Sequence, residues 1–160
     1  MAHKDASERS DRFPHKTLSS CVALALKLVE RVSRKGGDVA TVLAAMGYTR
    51  VSGSSKNTLA AMKAYGLIEK PHGKNVVMPT DALLVLRTGT DEEKAKTCRS
   101  LALKPPVFAC VYAAEVNPQD EALLERMFIM HNLPVTTAKQ AARIYPVSYT
   151  HLTLPTILRV

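Results

Sequence analysis

The order of helical and extended patterns in the first half of the chain constrains its fold more than any other sequence feature. Three segments between residues 17 and 65 have apolar residues at helical spacing, and two short apolar segments, residues 67–70 and 75–78, follow them. Residues 71–74 separate the two short segments, which predicts a β-hairpin with a four-residue tip. Thr80 can then cap a further helix over residues 81–87. This order indicates a mainly α fold.

The first two predicted helices are defined by their apolar faces and by turn residues at their ends. The first helix begins at Thr17, and Gly36 and Gly37 are expected to end it. Asp38 can cap a short second helix that runs through Met46. The inward positions of these helices are Leu18, Cys21, Val22, Ala25, Leu28, Val29 and Val32 in the first, and Val39, Val42, Leu43 and Met46 in the second.

The third predicted helix has a polar, basic outer face. Ser54 or Ser55 can cap it, and Gly66 ends it at a position that favours a left-handed backbone. Its inward residues are Leu59, Met62 and Tyr65, and its outward residues are Lys56, Asn57, Ala60 and Lys63.

Residues 91–145 predict four more helices and therefore a small helical domain. The first begins with three acidic residues at 91–93, which complement a helix N-terminus, and it runs to about Leu103. Residues 105–106 begin the second, a third runs to His131, and the last covers residues 138–145. The expected inward residues are Val107, Phe108, Val111 and Tyr112 in the second helix, and Leu123, Leu124, Met127 and Phe128 in the third.

Three helices followed by a hairpin form the winged-helix arrangement of the helix-turn-helix. In that arrangement the third helix enters the DNA major groove, while the hairpin wing contacts phosphate or the minor groove. Asn57 has the chemistry to bind adenine in a bidentate manner, and lysines can contact guanine or phosphate. The alternative is that these are ordinary solvated residues. The predicted DNA-binding residues are Arg50, Ser54, Ser55, Lys56, Asn57, Thr58, Lys63, His72 and Lys74.

The distribution of charge favours a nucleic-acid partner. The 160 residues include 22 Lys and Arg against 14 Asp and Glu, a net charge of +8. Residues 17–90 account for +6 of this charge, whereas residues 91–145 have a net charge of 0. Local positive charge supplies the counterion-release contribution that dominates non-specific DNA affinity. A solvated basic face without a partner is the alternative interpretation.

One part of the chain resembles the recognition helix and wing of many prokaryotic winged-helix proteins. The resemblance is carried by residues 52–55, Leu59 and residues 64–69. Residues 90–94, 105–108 and 137–142 extend the similarity beyond the wing. Together they resemble a family of prokaryotic proteins in which a small helical domain follows a winged-helix domain. The resemblance covers roughly residues 17–145 and implies helix placement; the family has no established activity, so it implies no catalytic residue.

The two ends of the chain have different sequence character. Residues 1–16 mix both charges with Ser and Pro, which predicts a disordered arm without the apolar segment of a secretory signal. Residues 146–160 break the helical pattern and are similar to the translation of an adapter used in transposon-based DNA sequencing libraries, whose next codons account for Val160 and a stop. We therefore expect residues 146–160 to be a non-native tail. The native sequence is then interrupted near Tyr145, within a helix that the tail truncates.

The sequence offers no motif for catalysis, cofactor or metal binding. Cys21, Cys98 and Cys110 are far apart without a CxxC pair, which is typical of small buried hydrophobes in a reducing cytoplasm. The histidines have no partners at metal-ligand spacing, and neither GxGxxG nor GxxxxGK[ST] occurs. No run of 18 apolar residues predicts a membrane span.

These features predict a cytoplasmic protein that binds double-stranded DNA, either specifically or generally, as a transcriptional regulator rather than an enzyme. The alternative is an adaptor that uses a winged helix to bind protein instead of DNA. In either case residues 91–145 are available for a protein partner or a homodimer, and the sequence leaves the oligomeric state open.

Overall fold

The chain is mainly helical with a small antiparallel sheet, as the sequence predicts. The structure, a computed structural model, describes residues 14–71 and 75–153, with side chains to residue 147. The helices of these residues are α1 (Leu18–Arg31), α2 (Val39–Ala45), α3 (Gly53–Ala64), α4 (Asp81–Thr88), α5 (Asp91–Ala102), α6 (Pro106–Ala113), α7 (Glu121–Met130) and α8 (Val135–Thr153). The strands are β1 (Ile68–Glu69) and β2 (Met78–Pro79). The expected disordered arm lies outside the described residues, except for its last three positions.

Side-chain caps begin α1 and α2, whereas Thr80 precedes α4 without a capping hydrogen bond from its side chain, so the predicted cap at Thr80 is wrong. The side chain of Thr17 accepts a hydrogen bond from the Ser20 N–H, and Asp38 accepts one from the Thr41 N–H at 2.9 Å, as predicted for α2. The cap of α3 is different, because Ser52 rather than Ser54 or Ser55 occupies the N-cap position. The helical pattern begins one turn earlier than the apolar residues suggest, so the prediction for this cap is wrong.

Gly36 and Gly37 do not end α1, because that helix stops at Arg31. Gly37 instead forms an isolated antiparallel bridge with Val77, at N···O distances of 3.1 and 2.8 Å. Gly36 has φ +75°, and a Cβ at this position would overlap the carbonyl oxygen of Val77. The two glycines therefore let the α1–α2 connection lie against the sheet.

The predicted hairpin is present, but its paired part is shorter than expected. β1 and β2 are antiparallel, with Ile68 opposite Pro79 and Glu69 opposite Met78. Residues 70–77 connect the strands, so the expected four-residue tip is wrong. Val77, next to β2, pairs instead with Gly37, a long-range partner that the local pattern of the hairpin does not contain.

The second half of the chain contains the predicted helices with two differences in burial. Tyr112 and Leu123 are 41% and 40% exposed, so their prediction as inward residues is wrong. Helix α8 also continues past Tyr145 to Thr153, although the sequence pattern predicts no helix beyond residue 145. This continuation includes Pro146, which has no backbone N–H to donate to the preceding turn.

Buried residues from α1 through α8 belong to one hydrophobic cluster. Its second half is centred on Phe108, Phe128 and Tyr145, whose ring centroids lie 5.6 to 6.2 Å apart in tilted or edge-on arrangements. In the first half the Tyr65 hydroxyl donates to the Lys16 carbonyl oxygen at 2.9 Å. The core thus fixes α3 from beneath while its outer face remains exposed.

Candidate nucleic-acid interface

The first turn of α3 is closed by a reciprocal pair of serines. The Ser55 N–H donates to Ser52 Oγ at 3.3 Å, and the Ser52 N–H donates to Ser55 Oγ at 2.8 Å. Gly53 lies between these serines in the sequence, and a methyl group added at Gly53 would have no other atom within 4 Å. This turn is therefore rigid at its cap yet open to a ligand on its outer side.

Ser55 and Thr58 lie inside the protein and not on the outer face of α3. Both are fully buried. The Thr58 hydroxyl donates to the Ser54 carbonyl oxygen at 3.1 Å and lies 2.9 Å from the Tyr48 hydroxyl. The hydroxyl groups of Ser55 and Thr58 form hydrogen bonds within the protein, and neither side chain is exposed on the outer face of α3.

The remaining predicted residues of this region are exposed. Lys56 and Lys63 lie on one side of α3, with half-buried Ala60 between them, and Asn57 is exposed beside Lys56. Arg50 and Ser54 are exposed just before and at the start of the helix. Lys56, Lys63 and Arg50 form no ion pair with another residue of the described chain. The charges are thus available to an external anion.

Two predicted wing residues, His72 and Lys74, lie outside the described residues. The neighbouring Lys70 is described and exposed, directly after β1. The sequence does not indicate this residue as a site, since a single lysine at the end of a strand has no distinguishing pattern.

An apolar groove of about 270 Å³ lies between α3 and the sheet. Its apolar lining is Val39, Leu59, Ala60, Ile68 and Val77, and its charged lining is Lys56, Lys63, Glu69 and Lys70. Sequence reasoning missed this groove because it predicts Leu59 as an inward residue, whereas the side chain is only half-buried.

A larger cleft of about 630 Å³ lies on the other side of Lys63 and is called the cationic cleft here. Its lining includes the basic residues Arg34, Lys63, Lys70 and Lys104 and the acidic residues Glu69 and Asp81. Lys104 comes from the connection between α5 and α6. No local sequence signal brings it to the sheet, because it approaches only through the packing of the second half of the chain on the first.

The groups with displaced pKa values have structural explanations. Burial raises the pKa of the Cys21 thiol to about 12, which keeps it protonated at neutral pH. Hydrogen bonds from the Thr41 side chain and backbone lower the pKa of the Asp38 carboxyl. The predicted burial of the cysteines holds for Cys21, but Cys98 is half-buried and Cys110 is exposed.

The described part of the chain has neither a metal-binding cluster of side chains nor a membrane-spanning helix. Among residues 14–71 and 75–153, no group of three His, Cys, Asp or Glu side chains is placed to hold a metal ion. Within the same ranges, no helix has the length and apolar character needed to cross a membrane.

The comparisons with known proteins leave the interface to be judged from its own geometry. The chain matches no protein-family model, no curated protein sequence and no solved structure.

Proposed function

We propose that the protein binds double-stranded DNA through the outer face of α3. The observation that carries the proposal is the exposed set of Lys56, Asn57 and Lys63 on a helix whose opposite side is buried in the core. A helix fits the major groove when one face is free and the other is braced by the protein. Here α1 packs against α3, Tyr48 from the segment after α2 contacts Thr58, and the small sheet lies beside the helix.

The order of elements supports a winged helix-turn-helix as the class of fold. Helices α1, α2 and α3 precede the hairpin, and the bridge between Gly37 and Val77 adds a third extended segment to the sheet. In such an arrangement the hairpin is the wing, and Lys70 lies at its base. This organisation is typical of DNA-binding regulators, and we propose a role in transcriptional regulation in the cytoplasm.

The chemistry of the exposed residues divides between base and backbone contacts. Asn57 offers the amide donor and acceptor that pair with adenine, and it is the candidate for base recognition. Lys56 and Lys63 supply positive charge for guanine or phosphate, while Arg50 is placed before the helix for a backbone contact. The buried Ser55 and Thr58 are left out of this interface.

The test is the salt dependence of duplex binding by Lys56→Ala with Lys63→Ala, measured by fluorescence anisotropy. Each lost phosphate contact lowers the slope of log K against log salt by about 0.9, so two lost contacts flatten it by about 1.8. Lys96→Ala with Lys139→Ala is the matched control, because it removes the same charge from exposed positions on α5 and α8. Equal affinities and slopes for the two double variants would contradict the proposal.

A protein-binding adaptor is the second candidate, and exposed apolar residues favour it. Met130 and Val135, at the end of α7 and the start of α8, are 70% and 55% exposed. If this surface carries the function, a pull-down recovers one stoichiometric protein without DNA at moderate salt, and Met130→Glu abolishes the recovery. Duplex binding with the salt dependence described above would favour the first candidate instead.

A further inference from the structure

The cationic cleft gathers basic residues that are distant in the sequence. Lys63 belongs to the last turn of α3, Lys70 follows β1, and Lys104 lies between α5 and α6. Arg34, from the α1–α2 connection, is the fourth basic residue of the lining. Three separate stretches of chain therefore contribute a lysine to the same cleft.

The charges of the cleft are not balanced internally. The Arg34 guanidinium is 2.8 Å from the Asp81 carboxylate, so these two residues neutralise each other. Glu69 is then the remaining acidic residue of the lining against Lys63, Lys70 and Lys104. None of the three lysines forms an ion pair with any residue for which the structure gives a side-chain position. The cleft has an excess of positive charge without an internal partner.

The backbone of the cleft holds Lys104 in a defined place. A Cβ added at Gly66 would lie 3.2 Å from Cδ and 3.3 Å from Cε and Nζ of Lys104, so the lysine stem lies directly over this glycine. Gly66 has φ +78°, and its carbonyl oxygen accepts a hydrogen bond from Thr80 Oγ1 at 2.6 Å. The turn at Gly66 is held by the hydrogen bond from Thr80. Because Gly66 has no side chain, the Lys104 ammonium can approach the base of the hairpin.

The cationic cleft is continuous with the outer face of α3, since Lys63 and Lys70 also line the apolar groove. Lysine ammonium groups bind phosphate as point charges, and several converging on one open cleft favour a dense anion over a single carboxylate. A volume of about 630 Å³ also has room for such a group.

We propose that the cationic cleft is a phosphate-binding site formed by Lys63, Lys70 and Lys104, and that the backbone of bound DNA supplies the phosphate. That DNA is the source of the phosphate rests on the proposed function. That the cleft binds phosphate is argued from its lysines alone and does not depend on that function. The proposal extends the interface to Lys104, in a segment whose net charge of 0 indicates no nucleic-acid contact.

The first experiment measures duplex binding against salt for Lys70→Gln with Lys104→Gln, which leaves the lysines of α3 intact. Two lost phosphate contacts flatten the slope of log K against log salt by about 1.8. Lys96→Gln with Lys139→Gln, again from exposed sites on α5 and α8, is the matched control and keeps the wild-type slope. If the cleft and control variants have the same slope while the wild-type chain binds the duplex, DNA is not the phosphate source.

The second experiment uses inorganic pyrophosphate as a probe, followed by the amide NMR shifts of Gly66 and Ile68. Shifts that saturate in the wild-type chain and are lost in Lys70→Gln with Lys104→Gln support the site. If the wild-type chain shows these shifts but binds no duplex, the phosphate site is supported and its ligand is a small phosphorylated molecule. In that case only the proposed function is contradicted. Absence of both the saturable shifts and the change in salt slope overturns the site itself.

Discussion

The hydroxyl groups at the start of α3 have different environments because each lies at a different angle around the helix axis. Ser54 is exposed, whereas Ser55 turns back to the N-cap and Thr58 points towards Tyr48. All three are polar residues next to a basic helix, so composition alone assigns them to the same interface. Only the position of the first helical residue, Gly53, separates the exposed hydroxyl from the buried ones.

The buried environment of Thr58 leads to a prediction that separates stability from binding. Thr58→Ala removes the hydrogen bonds to Tyr48 and Ser54, and we expect it to lower the free energy of unfolding by about 1–2 kcal/mol. Because the residue does not reach the outer face of α3, the salt slope of duplex binding is expected to stay at the wild-type value. Urea unfolding and fluorescence anisotropy measure the two quantities.

Thr58→Ser is the matched control, because it keeps the hydroxyl and removes only a methyl group. It is expected to retain most of the stability lost in Thr58→Ala. A reduced salt slope in Thr58→Ala, at concentrations where the variant is fully folded, would instead place this residue in contact with DNA.

At the scale of elements, local chemistry explains two of the helix ends, although the N-cap of α3 and the end of α1 differ from the prediction. Asp38 begins α2 and Gly66 ends α3 as predicted, since capping depends on a few neighbouring atoms. The exposure of Tyr112 and Leu123 could not be predicted in the same way, because it depends on which surface another helix covers. The bridge between Gly37 and Val77 likewise joins segments that are distant in the sequence.

The cap of α2 predicts a pH dependence of stability. Hydrogen bonds from Thr41 lower the pKa of Asp38 in the folded state, so its contribution is present above the unfolded pKa of about 3.9 and is lost as pH falls through the lower, folded value. Asp38→Asn keeps an amide oxygen that can cap the helix but cannot titrate. We therefore expect the melting temperature of the variant to fall less than that of the wild type between pH 7 and pH 3. Thermal unfolding by circular dichroism measures this difference, and parallel decreases in the two proteins would contradict it.

At the scale of the whole molecule, folding redistributes what the sequence separates. The sequence divides into a basic part and a neutral part, yet the structure places Lys104 of the neutral part in a cleft with Lys63 and Lys70. The apolar residues behave in the same way, because one hydrophobic cluster extends from Leu18 to Tyr145. Charge and burial both couple the two halves, and neither coupling has a local signal from which it could be predicted.

The continuity of the core predicts that a substitution in the second half destabilises the whole chain. Phe108 is fully buried between Phe128 and Tyr145, and Phe108→Ala removes most of a large buried side chain. We expect the free energy of unfolding to fall by about 3–5 kcal/mol, as for other buried aromatic residues. Circular dichroism reports on the helices of the whole chain. The fluorescence of Tyr48 and Tyr65, isolated by replacing Tyr112, Tyr145 and Tyr149 with Phe in both the reference protein and the variant, reports on α3 and its surroundings. If the core is one cooperative unit, both signals shift to the same lower urea concentration in the variant. A tyrosine transition that stays at its original midpoint while part of the helix signal is lost earlier would show that residues 17–90 unfold independently of the helices behind them.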